Sequence, residues 1–163
     1  MNNLATIDEH DTVRLVRDLP GPVERVWDYL TNPTLLGTWF SDGVVADRVG
    51  GEVQFEMGAE GRITSYEPPH VLEYTWNEPE DPARGIIDTL VRWELAKAGD
   101  RVRLTLTHKR LSAVEAIKHG AGWHTFLDRL VASTQGHDVP DVMERYGQLQ
   151  GEYNKRFSAA SRR

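Results

Sequence analysis

Thr89-Leu90-Val91-Arg92-Trp93-Glu94-Leu95 and, past a Gly99-Asp100 turn, Val102-Arg103-Leu104-Thr105-Leu106-Thr107-His108 decide how this chain folds. In both stretches side-chain character alternates with a period of two, the repeat of an extended strand. Ile87, Thr89, Val91, Trp93 and Leu95 share one face of the first strand. Val102, Leu104, Leu106 and His108 share one face of the second. Arg92 and Glu94 fall on the opposite face, where they predict a salt bridge across the sheet surface. One apolar and one polar face predict an antiparallel sheet covered on one side only.

The same period extends toward the N-terminus. Gly50-Gly51 turns the chain into Val53, Phe55 and Met57, alternating with Glu52, Gln54 and Glu56. A turn at Gly58–Gly61 leads to Arg62–Glu67, and Pro68-Pro69 turns the chain again. Leu72, Tyr74 and Trp76 then alternate with Glu73, Thr75 and Asn77. Asn77–Gly85 reads as an exposed acidic loop. Short turns between successive strands predict a meander. Upstream, Thr12–Asp18 is a strand with Val13 and Leu15 on one face, stopped by Pro20-Gly21-Pro22. Val23, Val26, Trp27 and Leu30 form the stripe of a short helix, and Thr34–Phe40 forms a second. Residues 1–11 read as a frayed polar arm.

Downstream of the hairpin the period becomes helical. Ser112 is placed as an N-cap, with Glu115 completing a capping box. Trp123, Phe126, Leu127, Leu130 and Val131 form one stripe of a long helix that Gly136 ends. Gly120 and Gly122 mark a kink or a close approach to the sheet. Pro140–Phe157 carries a further stripe, Val142, Tyr146, Leu149 and Tyr153, and Ser158–Arg163 reads as a tail. That last stripe has three destinations: the cavity mouth, the outside of the same domain, or a second subunit in a homodimer. The fold class expected is α+β, a curved antiparallel sheet wrapped around a long C-terminal helix, with two short helices after the first strand.

Composition narrows the functions. The chain has 163 residues, the size of one domain, with 39% hydrophobic and 27% charged residues. A net charge of −6 and the lack of a Lys/Arg run argue against nucleic acid as a partner. Without cysteine there is no disulfide, thiolate zinc site or cysteine nucleophile. No apolar run is long enough to span a bilayer, and MNNLATIDEHD lacks the apolar core of a signal peptide. The expected location is the cytoplasm.

Several local patterns then converge. Pro22-x-x-Arg25-Val26-Trp27, Leu30-Thr31-Asn32-Pro33, Trp39-Phe40 and Gly50-Gly51 occur in that order. They are followed by Tyr66-Glu67-Pro68-Pro69, Tyr74-Thr75-Trp76, Leu104–His108 and Gly122-Trp123. The ordered series resembles the family of homologues of the activator of Hsp90 ATPase, within the START-like and pollen-allergen-like superfamily. The resemblance covers residues 12–135 and implies a helix-grip domain there, with 136–163 as a C-terminal helical extension and tail. It also implies a cavity between sheet and helix.

By strand parity and helix stripe, the rings of Trp39, Phe55, Tyr74, Trp76, Trp93, Trp123 and Phe126 point into that space, either as core or as ligand-binding wall. Phe40, Met57, Leu106 and Leu127 complete the expected ligand-binding set with His108 and His119. His108 continues the inward face and is the candidate for moving a proton, or else a hydrogen-bonded core residue. His119 lies one helical turn before Trp123, whereas His124 points about 100° away from it.

No metal or cofactor is expected. Glu78-Pro79-Glu80-Asp81 lacks the ligand spacing of a calcium loop and reads as solvated. His119 and His124 lack the i, i+4 spacing of a zinc helix. No nucleophile elbow, phosphate loop or dinucleotide fingerprint is present. The leading expectation is a protein that binds an apolar or aromatic small molecule between sheet and helix. A cyclase, aromatase or hydrolase using the same cavity is the second, and a module that assists a chaperone ATPase, implied by the resemblance, is the third.

Overall fold

A computed structural model describes residues 3–79 and 88–157. Among these the chain runs β1 (Thr6–Ile7), β2 (Val13–Pro20), α1 (Val23–Thr31), α2 (Pro33–Trp39), β3 (Gly43–Val45) and β4 (Glu52–Phe55). It continues through β5 (Glu60–Glu67), β6 (Val71–Trp76), β7 (Thr89–Ala98), β8 (Arg101–Lys109), α3 (Ala113–Thr134) and α4 (Val142–Phe157). All the strands join one antiparallel sheet in the order β1-β2-β8-β7-β6-β5-β4-β3. β3 to β8 form the meander, and β2 joins at its far side by pairing with β8.

Register carries the two-residue period across the sheet. Leu15 lies opposite Leu106, Leu106 opposite Trp93, and Trp93 opposite Leu72. In the next row His108 lies between Val13 and Val91. A slip of one residue would turn each of these side chains to the other face, so the buried face holds the register. The polar face is laced by ion pairs, with Arg92 3.1 Å from Glu73 and 3.5 Å from Glu94, as the alternation predicts.

The helices close the inner face. α1 buries Val23, Val26, Trp27 and Leu30, the stripe expected of it. Asn32, which ends α1, also starts α2: its side-chain oxygen accepts the N–H of Thr34 at 2.9 Å, and Pro33 occupies the first turn. α3 begins where Ser112 Oγ accepts the Glu115 N–H at 3.2 Å. It ends with Gly136 at φ +72°, where the His137 N–H reaches the Ala132 carbonyl. α3 packs against β2, α2 and α4.

Three expectations change. The N-terminal arm is not frayed: β1 pairs with β2, and the buried Ala5 donates its N–H to Tyr153 Oη at 2.6 Å. Two residues carry no readable period, so only the tertiary contact reveals that strand. β4 stops at Phe55, because Gly58 N–H closes a turn onto the Phe55 carbonyl, so Met57 lies beyond the strand and is half exposed. Gly120 makes its tightest approach to α4, where a Cβ would lie 2.9 Å from Tyr153 Cε1, with Ile7 Cδ1 of β1 at 3.8 Å. α4 therefore docks within its own chain, burying Leu149 and Tyr153. Ile87, the loop from Glu80 to Gly85 and the tail Ser158–Arg163 lie outside the described residues.

Candidate functional site

Phe40 follows α2, Trp76 ends β6, and Trp123 and Phe126 project from α3. These rings, with Tyr146 of α4 and Met57 of the β4–β5 turn, line a half-open cavity of about 170 Å³. Phe40 stacks on Trp123 at 5.5 Å and meets Phe126 edge-on at 4.8 Å. Trp76 meets Trp123 edge-on at 5.2 Å. Offset and edge-on contacts of this kind fix ring positions beyond what burial alone does.

The Trp123 ring is also tethered from behind. Its indole N–H donates to His108 Nδ1 at 3.0 Å, and His108 Nε2 lies 2.7 Å from Thr89 Oγ1. Thr89 Oγ1 in turn donates to the Trp76 carbonyl at 2.8 Å. An indole only donates, so Nδ1 accepts and Nε2 carries the hydrogen. The chain thus ties α3 to β6 through one neutral histidine. A general base needs a lone pair facing the substrate. The lone pair of His108 faces Trp123, and the side chain is fully buried outside the cavity lining, so it positions the wall.

The polar end of the cavity belongs to Glu78, His119 and, at the exposed rim, Lys118. His119 is nine-tenths buried, with Nδ1 2.9 Å from the Glu115 carbonyl and Nε2 3.5 Å from Glu78 Oε1. Trp76 Nε1 donates to the same Glu78 oxygen at 3.3 Å. Glu78, Glu115 and His119 bring ligand-type atoms within 4.8 Å of one another, a grouping the sequence gave no reason to expect.

Residues 20–135 match the family model described as activator of Hsp90 ATPase homolog 1-like protein. The chain belongs to this family. No curated protein matches the sequence. Among solved structures it is similar to CalU16 from Micromonospora echinospora, at 26% identity over 88% of this chain and 86% of that one, with TM-score 0.74. The protein encoded by gene BPP1335 of Bordetella parapertussis is 27% identical over 95% and 91% of the two chains, with TM-score 0.76. PFC0360w, an HSP90 activator from Plasmodium falciparum, shares the fold at 20% identity over 79% and 99%, with TM-score 0.65.

In this activator-homologue domain the expected wall residues divide into two sets. Phe40, Met57, Trp76, His119, Trp123 and Phe126 line the cavity. Trp39, Phe55, Tyr74, Trp93, Leu106 and Leu127, with His108, do not; they are packed core. Trp93 donates its N–H to Tyr74 Oη at 2.9 Å, and Trp39 donates to the Tyr29 carbonyl. Burial pushes the Tyr74 phenol well above its ordinary pKa. Phe40 touches Trp39, Phe55, Phe126 and Trp123, and so stands between that packed region and the open end. The cavity occupies one end of the space under α3, not its whole length.

Glu78, Lys118, Gly122 and Tyr146 were absent from the expected set. A signal existed for two of them, since residues 115, 118, 119, 122, 123 and 126 form one helical stripe. Glu78 read as solvated but is half-buried against His119. Only the docking of α4 brings Tyr146 to the wall.

A second polar cluster lies behind α3. Tyr153 Oη accepts the Ala5 N–H and shares a hydrogen bond of 3.0 Å with His124 Nδ1. Burial lowers the His124 pKa to about 4, with Asp128 opposing and Arg17 and Arg145 adding to the effect. Burial likewise pushes Tyr153 up to about 12. These groups hold β1, α3 and α4 together.

Proposed function

We propose that this domain is a small-molecule binding protein, and that its ligand is an apolar or aromatic compound held between the sheet and α3. The observation that carries the reading is the unfilled aromatic hollow of Phe40, Trp76, Trp123, Phe126 and Tyr146 with polar groups at one end. Ligand pockets have that make-up. Burying a ligand ring against such walls contributes roughly 25 cal/mol per Å² of apolar surface removed from water. Two of the wall residues are tryptophans, so intrinsic fluorescence reads the site directly. Titration with a panel of small aromatic compounds is expected to give saturable quenching for at least one. No response to any of them, together with a crystal structure in which the rings close the space, would remove the reading.

Catalytic use of the same cavity is the second reading, favoured by His119 beside Glu78. It predicts turnover of a bound ligand that is lost on changing either residue. The family description and the Plasmodium neighbour suggest a chaperone ATPase as partner, yet fold likeness transfers function weakly. Stimulation of a purified chaperone ATPase would support that partner, and no stimulation would count against it.

A further inference from the structure

The floor of the cavity limits how much of a ligand it can bury, an inference that rests on the binding reading above. Phe40 lines the cavity and touches five other rings. Trp76, Trp123 and Phe126 share the cavity wall with it, at 6.2, 5.5 and 4.8 Å between centroids. Trp39 at 5.2 Å and Phe55 at 4.9 Å belong to the packed core behind it. Trp76 and Trp123 also reach that core, through Phe55 and Trp93. Both indoles, however, are held at their N–H groups, by Glu78 and His108. Phe40 has no polar side-chain atom. Of these three wall residues it is the one whose size can change without leaving a donor unpaired.

The backbone around Phe40 is fixed from several sides. Its N–H closes the last turn of α2 on the Leu36 carbonyl at 2.9 Å. The neighbouring Trp39 carbonyl accepts Arg129 Nε of α3 at 2.9 Å, and Trp39 Nε1 donates to the Tyr29 carbonyl of α1 at the same distance. On the other side the Asp42 carbonyl accepts the Glu56 N–H, just past β4, at 2.8 Å. A ring held in this way, with Trp39 and Phe55 already filling the space behind it, has no room to retreat before a longer ligand.

Size follows from that floor. A cavity of about 150 Å³ in another protein holds benzene, and this one measures about 170 Å³. One ring fits above Phe40. Removing the phenyl group would join its space to the cavity and extend the hollow down to Trp39 and Phe55, by about the room of one more ring.

We infer that Phe40 is the specificity-determining residue of the site: it restricts the buried part of the ligand to one apolar or aromatic group of single-ring size, and the rest of any longer compound projects through the mouth into water.

The test uses the full chain and two probes, benzyl alcohol with one ring and biphenyl-4-ylmethanol with two in line, followed by tryptophan fluorescence and calorimetry. The unaltered protein is expected to bind the two within about threefold of each other, since a second ring left in water gains little. In Phe40→Ala the two-ring probe should bind at least about tenfold tighter than the one-ring probe, with Phe40→Leu in between. Phe40→Trp extends the floor into the cavity and should weaken both probes. A purely structural loss would weaken both probes alike in the smaller variants and leave their ratio unchanged, so the ratio separates selectivity from stability. The ranking on the unaltered protein and the Leu and Trp variants keep the test decisive where Phe40→Ala does not fold. A ratio in Phe40→Leu and Phe40→Ala equal to that of the parent would overturn the inference and leave the cavity reading standing. A parent protein that already prefers the two-ring probe by more than about tenfold would overturn it as well. Binding of neither probe by any form would remove the binding reading and this inference with it.

Discussion

Two glycines on α3, two residues apart, respond to the same substitution with opposite sign. A Cβ on Gly122 meets nothing within 4 Å, because that side of the helix faces the cavity. A glycine in a helix interior costs about 0.5–1 kcal/mol relative to alanine. Gly122→Ala is therefore expected to stabilise the protein by about that amount and to narrow the cavity. With a urea slope of roughly 1–3 kcal/mol per molar, the midpoint should rise by about 0.2–1 M. Gly122→Leu places an isobutyl group in the cavity itself. Stability should stay within about 1 kcal/mol of the parent, as apolar burial offsets side-chain ordering, and saturable quenching by aromatic ligands should disappear. Gly120→Ala is the control. Its Cβ would lie 2.9 Å from Tyr153 Cε1 and 3.2 Å from Cδ1, on a ring held at its hydroxyl by Ala5 and His124. Overpacking of about 1–3 kcal/mol outweighs the helical gain, so this variant should lose roughly 1–2 kcal/mol net. Urea unfolding and fluorescence titration of the three variants measure both quantities. Unchanged ligand binding in Gly122→Leu would refute the cavity as the site, and equal gains at both glycines would refute the packing argument.

Tyr153→Phe keeps the ring but leaves the buried Ala5 N–H and His124 Nδ1 without their partner. A loss of about 1–3 kcal/mol is expected in urea unfolding, with faster amide exchange in β1; a change under about 0.5 kcal/mol would contradict the clamp. His124 titrates in the folded protein near pH 4, below its unfolded value of about 6.5. The unfolded chain therefore binds the proton first, and stability complete above pH 6.5 falls as pH drops toward 4. Allowing for solvent screening at the crevice, the fall is about 1–2 kcal/mol. The His124→Gln variant should show a flatter urea midpoint between pH 6.5 and 4.5, and an unchanged slope would sink the assignment. His108→Leu cuts the tie from Trp123 to Thr89 and Trp76. It should cost about 1–3 kcal/mol and weaken ligand quenching, whereas full binding would show that Trp123 needs no tether.

The elements themselves were largely legible in the sequence. β7, β8 and α1 follow from side-chain periods that each segment carries by itself, as do the Asn32-Pro33 boundary and the stop at Gly136. These are local properties, set by backbone geometry and by which face each residue offers. The ordered motifs of residues 12–135 likewise pointed to the activator-homologue family, whose model matches residues 20–135. Parity also brought thirteen candidate residues to one side of the sheet and helix, but it did not distinguish wall from core.

That distinction belongs to the assembled volume. Whether an inward ring lines a cavity or fills one depends on what the other elements bring to the same space. Phe40 from the end of α2, Met57 from a turn and Tyr146 from α4 made that choice here. The partnerships of His119 with Glu78, and of Ala5 with Tyr153 at a separation of 148 residues, are likewise products of packing. A repeat of two or 3.6 residues says which way a side chain points; only close packing in three dimensions says what it meets there.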